Sequence, residues 1–126
     1  MNRTVFTYGK YFFDFYNKLD KDLQAKIDWV FELVKTVDHI SKKYFQHLEN
    51  TDGLFEIRIE FESNIYRIFC FFDQGNLVIL INAFQKKTQK TPKSQIELAK
   101  KLKKQYFIDK KLNSENEKGN SKKIKK

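Results

Sequence analysis

Several familiar signatures are missing from this chain of 126 residues. Cys70 is the only cysteine, which excludes a disulfide framework and a cysteine-based metal site. No glycine-rich phosphate loop, dinucleotide fingerprint or zinc-ligand spacing occurs. No segment approaches the ~20 consecutive apolar residues that cross a bilayer. Met1-Asn2-Arg3-Thr4-Val5 has no apolar core of the signal-peptide kind, so a soluble, cytoplasmic protein is expected. There are only two histidines, His39 and His47, and no internal repeat.

What is abundant is aromatic and basic. Aromatic residues make up 16% of the chain, 13 of them Phe, enough for a packed core despite 33% charged residues. The net charge of +9 is placed unevenly. Residues 1–85 balance at −2, whereas residues 86–126 carry 15 Lys against 4 acidic residues and balance at +11. Such a field attracts polyanions: nucleic acid, an anionic membrane or an acidic protein.

The apolar pattern changes period along the chain. Thr4–Tyr8 reads as a short strand. Phe12, Phe15, Tyr16 and Leu19 fall at helical spacing. Leu23, Ile27, Val30, Val34 and Val37 form the stripe of a second helix, which Asp20 or Asp22 can cap. Residues 38–53 read as a loop with little regular structure, ending on the turn signal Asp52-Gly53. Three strands then follow, at 54–61, 65–72 and 77–84, joined by Glu62-Ser63-Asn64 and by Asp73-Gln74-Gly75-Asn76. With short connections they form an antiparallel meander. Thr91 as N-cap and Pro92 at the first helical position open a last helix with the stripe Ile96, Ala99, Leu102, Tyr106. The expected architecture is α+β in the order β-α-α-β-β-β-α, with two N-terminal helices packed on a mainly antiparallel sheet. Residues 1–112 form the domain, and the lysine-rich residues 113–126 are expected to be a disordered tail.

Chemistry is concentrated where the meander ends. Phe84-Gln85-Lys86-Lys87-Thr88-Gln89-Lys90-Thr91-Pro92 sets three cations and two amides at a sheet edge. Arg67 lies inside an apolar strand, where a guanidinium must either bind a phosphate or pair with Glu56 or Glu60 on the neighbouring strand. Arg58 shares a face with Glu56 and Glu60, which alone reads as a solvated strand face. Arg and Lys converging on one point would stabilise the phosphorane-like transition state of RNA cleavage. The RNA 2′-OH supplies the nucleophile, so the reaction needs a base and an acid but no metal and no cofactor. Glu56 and His47 are possible acid–base groups, and a Lys crowded by cations has a lowered pKa and can serve as either. Cys70, among apolar neighbours, reads as core.

The ordered series Asp52-Gly53-Leu54-Phe55-Glu56-Ile57-Arg58, Tyr66-Arg67-Ile68-Phe69, Phe84 to Pro92 and Ile96-Glu97-Leu98-Ala99 resembles the RelE/HigB-type toxins of bacterial toxin–antitoxin systems. The likeness is to their phage-derived, HigB-like branch within the RelE/ParE superfamily, and it runs from about Val5 to Phe107. It implies a RelE-like compact domain and a ribosome-dependent mRNA endonuclease that halts translation. The implied partners are the ribosome, mRNA and a cognate antitoxin, usually a helix-turn-helix DNA-binding protein. By the same resemblance, Arg67 is the phosphate-binding strand arginine, Arg58 a basic position of the first meander strand, and Lys86 and Lys87 the basic pair after the last. Gln89, Lys90 and Lys93 are expected to bind RNA. Glu56 departs from RelE, where this position is basic. Two other functions stay open: a non-cleaving gyrase inhibitor of the ParE kind, and a general basic RNA- or ribosome-binding protein.

Overall fold

The computed structural model describes the backbone of residues 2–124 and the side chains of residues 2–114. The chain runs β1 (Thr4–Thr7), α1 (Tyr11–Tyr16), α2 (Lys21–Thr36), β2 (Phe45–His47), β3 (Leu54–Phe61), β4 (Asn64–Asp73), β5 (Leu77–Lys86) and α3 (Lys93–Ile124). The strands form one sheet in the order β1-β5-β4-β3-β2. Only β1 runs parallel to its neighbour, pairing Thr4 with Leu77 and Thr7 with Leu80. The fold is α+β with a mixed, mainly antiparallel sheet, as the sequence pattern predicts.

Both sheet faces are apolar over most of their area, so helices cover both. Ile57 and Ile59 of β3, Ile68 and Cys70 of β4 and Val78 and Leu80 of β5 pack against Phe12 of α1 and Leu23, Ile27, Val30 and Val34 of α2. The opposite face presents Leu54, Phe69, Phe71, Ile79 and Ile81 to Ala99 and Leu102 of α3. Phe69 and Phe71 are wholly buried, each contributing about 1.5–3 kcal/mol relative to exposure. Alternation along each strand sends neighbours to opposite faces, which is why one meander supplies two cores.

Four local details differ from the sequence expectation. Residues 45–47 form a strand, β2, inside the expected loop, because Phe45, Gln46 and His47 pair with Ile57, Glu56 and Phe55. α1 stops at Tyr16 rather than near Leu19, and Asp20 opens α2 by accepting a 3.0 Å bond from Leu23 N. β5 continues to Lys86, two residues past its expected end. α3 begins at Lys93, one residue past Pro92, whose carbonyl accepts from Gln95 N and Ile96 N. The helical backbone then continues to Ile124, where disorder is expected from residue 113; that segment lies largely outside the residues whose side chains are described.

α3 is fixed at both ends of its contact with the sheet. At its start, Asn82 Nδ2 donates to Gln95 O at 3.0 Å and Gln95 Oε1 at 2.9 Å. Asn82 sits in a β-bulge, where Ile81 and Asn82 of β5 face the single residue Phe69 of β4. Further along, Tyr106 Oη donates to Asp73 at 2.6 Å, Lys110 Nζ pairs with the same carboxylate at 2.8 Å, and Tyr8 Oη donates to Asp109. Burial alone would raise the Asp73 carboxyl, but the bonds from Lys110 and Tyr106 outweigh it and hold the pKa below the ordinary value. The unfolded chain therefore takes up this proton first on acidification. The contribution is present above about pH 3.9 and is lost as pH falls through the lowered folded value. Asp73→Asn is expected to cost about 1.5–3 kcal/mol at pH 7, a gap that closes in acid. Urea midpoints of the two proteins across pH check this; coincident midpoints at pH 7 contradict it.

Candidate functional site: a cationic patch at the uncovered end of the sheet

α3 crosses the sheet at Asn82 and leads away over Leu54 and Phe71, so the far ends of β3, β4 and β5 lie uncovered on that face. Alternation places Glu56, Arg58 and Glu60 of β3, Ile65 and Arg67 of β4 and Phe84 and Lys86 of β5 on this surface. The register brings the cations together. Arg58 stands directly opposite Arg67, and Lys86 stands opposite Ile65, one step past the Arg67–Phe84 pair. Like charges directly opposite each other destabilise a sheet. Here each guanidinium has its own carboxylate to offset that cost.

Arg67 Nη1 donates to Glu56 Oε2 in an ion pair in which Arg67 is 11% and Glu56 only 1% exposed. Gln46 of β2 donates to the other carboxylate oxygen, Glu56 Oε1, at 3.0 Å. Arg67 Nε is buried without a hydrogen-bond partner among the described residues. Glu56 is therefore not on a solvated strand face, as its alternating pattern implies. Both of its oxygens are engaged at a buried position, where they fix the guanidinium of Arg67. Arg58 is more open and pairs with Glu60 at 3.1 Å, at the half-exposed rim.

Lys86 is half-buried and its ammonium pKa is lowered. Burial is the largest cause, the positive charge of Arg67 follows, Glu56 opposes, and Arg58 adds a little more. Lys86, Arg67, Arg58 and Glu56 thus share one electrostatic environment. A lysine lowered in this way gives up its proton more readily than an ordinary one, while keeping its position beside two permanent cations.

The other expected site residues fall into two groups. Lys87, Gln89, Lys90 and Lys93 are exposed on the loop and helix start that rim the patch, where Thr88 Oγ1 donates to Lys90 O at 2.8 Å. No acidic residue occupies the first turn of α3, so its positive end is left uncancelled beside this loop. His47 does not join the patch. On β2 it stands opposite Phe55 of β3, and the two rings meet edge-on on the opposite face of the sheet. Cys70 is fully buried, and burial with the nearby Glu56 charge pushes its thiol far up, so it is inert core. Gln46 is the participant that pattern reading misses. Its only sequence signal is the short alternation Phe45-Gln46-His47-Leu48. Among the described residues no cluster of His, Cys, Asp and Glu is arranged to hold a metal, and no helix is long and apolar enough to cross a membrane.

A five-stranded mixed sheet between two N-terminal helices and one C-terminal helix, with cations on its uncovered end, defines an α+β protein of RelE-like fold. A chain of the archaeal RelE–RelB complex from Pyrococcus horikoshii OT3 superimposes with a TM-score of 0.51 at 14% identity, covering 68% of this chain and 96% of that one. The protein belongs to the family described as phage derived protein Gp49-like, which matches residues 14–104. No curated protein matches the sequence.

Proposed function

We propose that the chain is the toxin of a toxin–antitoxin pair and that it cuts mRNA at the ribosome without a metal. The observation that carries this is the convergence of Arg58, Arg67 and Lys86 on an uncovered sheet end. In that chemistry the 2′-OH of the RNA attacks its own 3′ phosphate, and the 5′ oxygen of the next nucleotide leaves. Charge accumulates on the equatorial oxygens, where Arg67, fixed by Glu56, and Arg58 would meet it. Lys86, with its lowered pKa, would take the 2′ proton or protonate the leaving oxygen. Lys87, Lys90, Lys93 and Gln89 would hold the flanking phosphates.

Support for the biological setting comes from family membership and from the fold shared with the RelE–RelB complex. On this reading a cognate antitoxin of the helix-turn-helix kind covers the patch, and the protein works in the cytoplasm. The test is induction of the gene followed by mapping of RNA 5′ ends. Codon-phased new ends bearing 5′-hydroxyls, within coding regions, are expected. Growth arrest with intact mRNA and damaged DNA would overturn cleavage in favour of a gyrase-directed toxin.

A further inference from the structure

A second basic surface lies around the edge of β3, outside the patch just described. Trp29, the only tryptophan, projects from α2 with 48% exposure. Its ring meets Tyr44 edge-on at 5.8 Å between centroids. Lys26 Nζ stands 4.9 Å from the Trp29 ring centre, and Lys43 Nζ stands 5.5 Å from that of Tyr44. β2 ends the sheet's cover early, so here β3 is the edge strand, and Arg58 N donates to Tyr44 O at 2.9 Å. Lys26, Lys43, Tyr44, Arg58 and Glu60 enclose a recess of about 120 Å³. That is well below the roughly 300–1,000 Å³ of a site for a drug-sized molecule, and suits a phosphate group. Arg58 therefore faces both the recess and the Lys86 environment.

An exposed indole with a tyrosine beside it, two lysines over the rings and an arginine at the edge is the combination that holds single-stranded nucleic acid. The rings offer a face on which a base stacks, and the cations follow the backbone. Glu60 is the one acidic side chain in the recess, and Arg58 pairs with it. The charge balance of the recess thus favours an anion.

We propose that Trp29, Tyr44, Lys26 and Lys43 form a stacking site for a nucleotide of single-stranded RNA next to the one bound at Arg58 and Arg67. The inference rests on the nuclease reading for the identity of the strand. One base stacks on Trp29, its phosphate enters the Lys26–Lys43 recess, and Arg58 passes the chain to the cationic patch. The site would then contribute to which sequence is positioned for cutting.

The sole tryptophan makes this directly measurable. Titrating the full-length protein with a short oligouridylate is expected to quench Trp29 fluorescence, with an affinity that falls as salt rises. Trp29→Ala is expected to weaken binding about tenfold, measured by filter retention, and Trp29→Phe to restore most of it. Lys26→Ala with Lys43→Ala is expected to reduce the slope of log affinity against log salt by about 0.7, the value for one phosphate contact on a single strand. All substituted positions lie outside the two cores, so the variants are expected to keep the parental circular dichroism spectrum.

Binding of the RNA with unchanged Trp29 emission, or with equal affinity for Trp29→Ala, overturns the stacking site. So does quenching by an acidic peptide but not by RNA, which assigns the surface to a protein partner. Cleavage on ribosomes is scored separately. A chain that cuts mRNA but shows no Trp29 effect loses this site and keeps the nuclease; one that binds through Trp29 and cuts nothing does the reverse.

Discussion

An Arg67→Ala chain is expected to be both inactive and much less stable. Glu56 is 1% exposed and relies on Arg67 for its charge partner. Removing the guanidinium leaves a carboxylate stranded in a dry site, at about 3–5 kcal/mol. Loss of toxicity in this variant alone would therefore say little about catalysis. Glu56→Leu combined with Arg67→Met removes both charges together and leaves Gln46, which is exposed, to turn to water. Replacing a buried pair in this way is close to neutral for stability. The expected result is a double variant with a near-parental urea midpoint and no RNA cleavage. Full toxicity in the folded double variant would remove Arg67 from the reaction. An Arg67→Ala midpoint equal to the parent's would show that the buried pair does not hold the sheet end.

Lys86 gives the cleaner functional result. It is half-buried beside two arginines, so Lys86→Ala relieves repulsion and is expected to leave stability unchanged or slightly raised. Loss of one preorganised charge at a developing anion costs about 10²–10³ in rate. The pH profile separates charge from proton transfer. With Lys86 as the base, the rate rises with pH until its pKa is passed, and that point lies below the ordinary lysine value. Lys86→Arg retains the charge but cannot deprotonate, so it is expected to lose this rise. Because the folded pKa is lower than the unfolded one, the unfolded chain holds more protons between the two values. Stability should therefore climb with pH across that window in the parent and not in Lys86→Ala. Cleavage by Lys86→Ala at the parental rate would exclude Lys86 from the reaction.

The elements with strong periodicity were legible in the sequence. Ile27, Val30 and Val34 mark α2, and the period-two runs mark β3, β4 and β5. β2 was hidden because three residues are too few to show a period. The β3–β4 turn was legible as a turn but not in its geometry. Glu62 and Ser63 both adopt positive φ, at 49° and 67°, where glycine or asparagine is the usual signal. At the site, the pairing of Arg67 with Glu56 is one of two alternatives that the residue types allow. Pattern alone cannot say that Glu56 is buried, because its two carboxylate oxygens are engaged by Gln46 and Arg67, from other strands of the sheet. Nor can it bring Lys86 into the sheet. The bulge at Ile81–Asn82 shifts the β5 register by one residue, and a strand read as ending at Phe84 leaves the lysine on a loop.

The parallel pairing of β1 with β5 also has a meaning for how the protein is made. Thr4 leaves the ribosome early, yet its strand partner Leu77 and the rest of β5 follow only after most of the chain has been synthesised. Until then β1 has no strand partner, and contacts so distant in sequence form slowly. Arg58 and Arg67 likewise acquire Lys86 only when β5 joins the sheet. The cationic patch therefore assembles late in folding, because its third cation is placed only by the strand that closes the sheet.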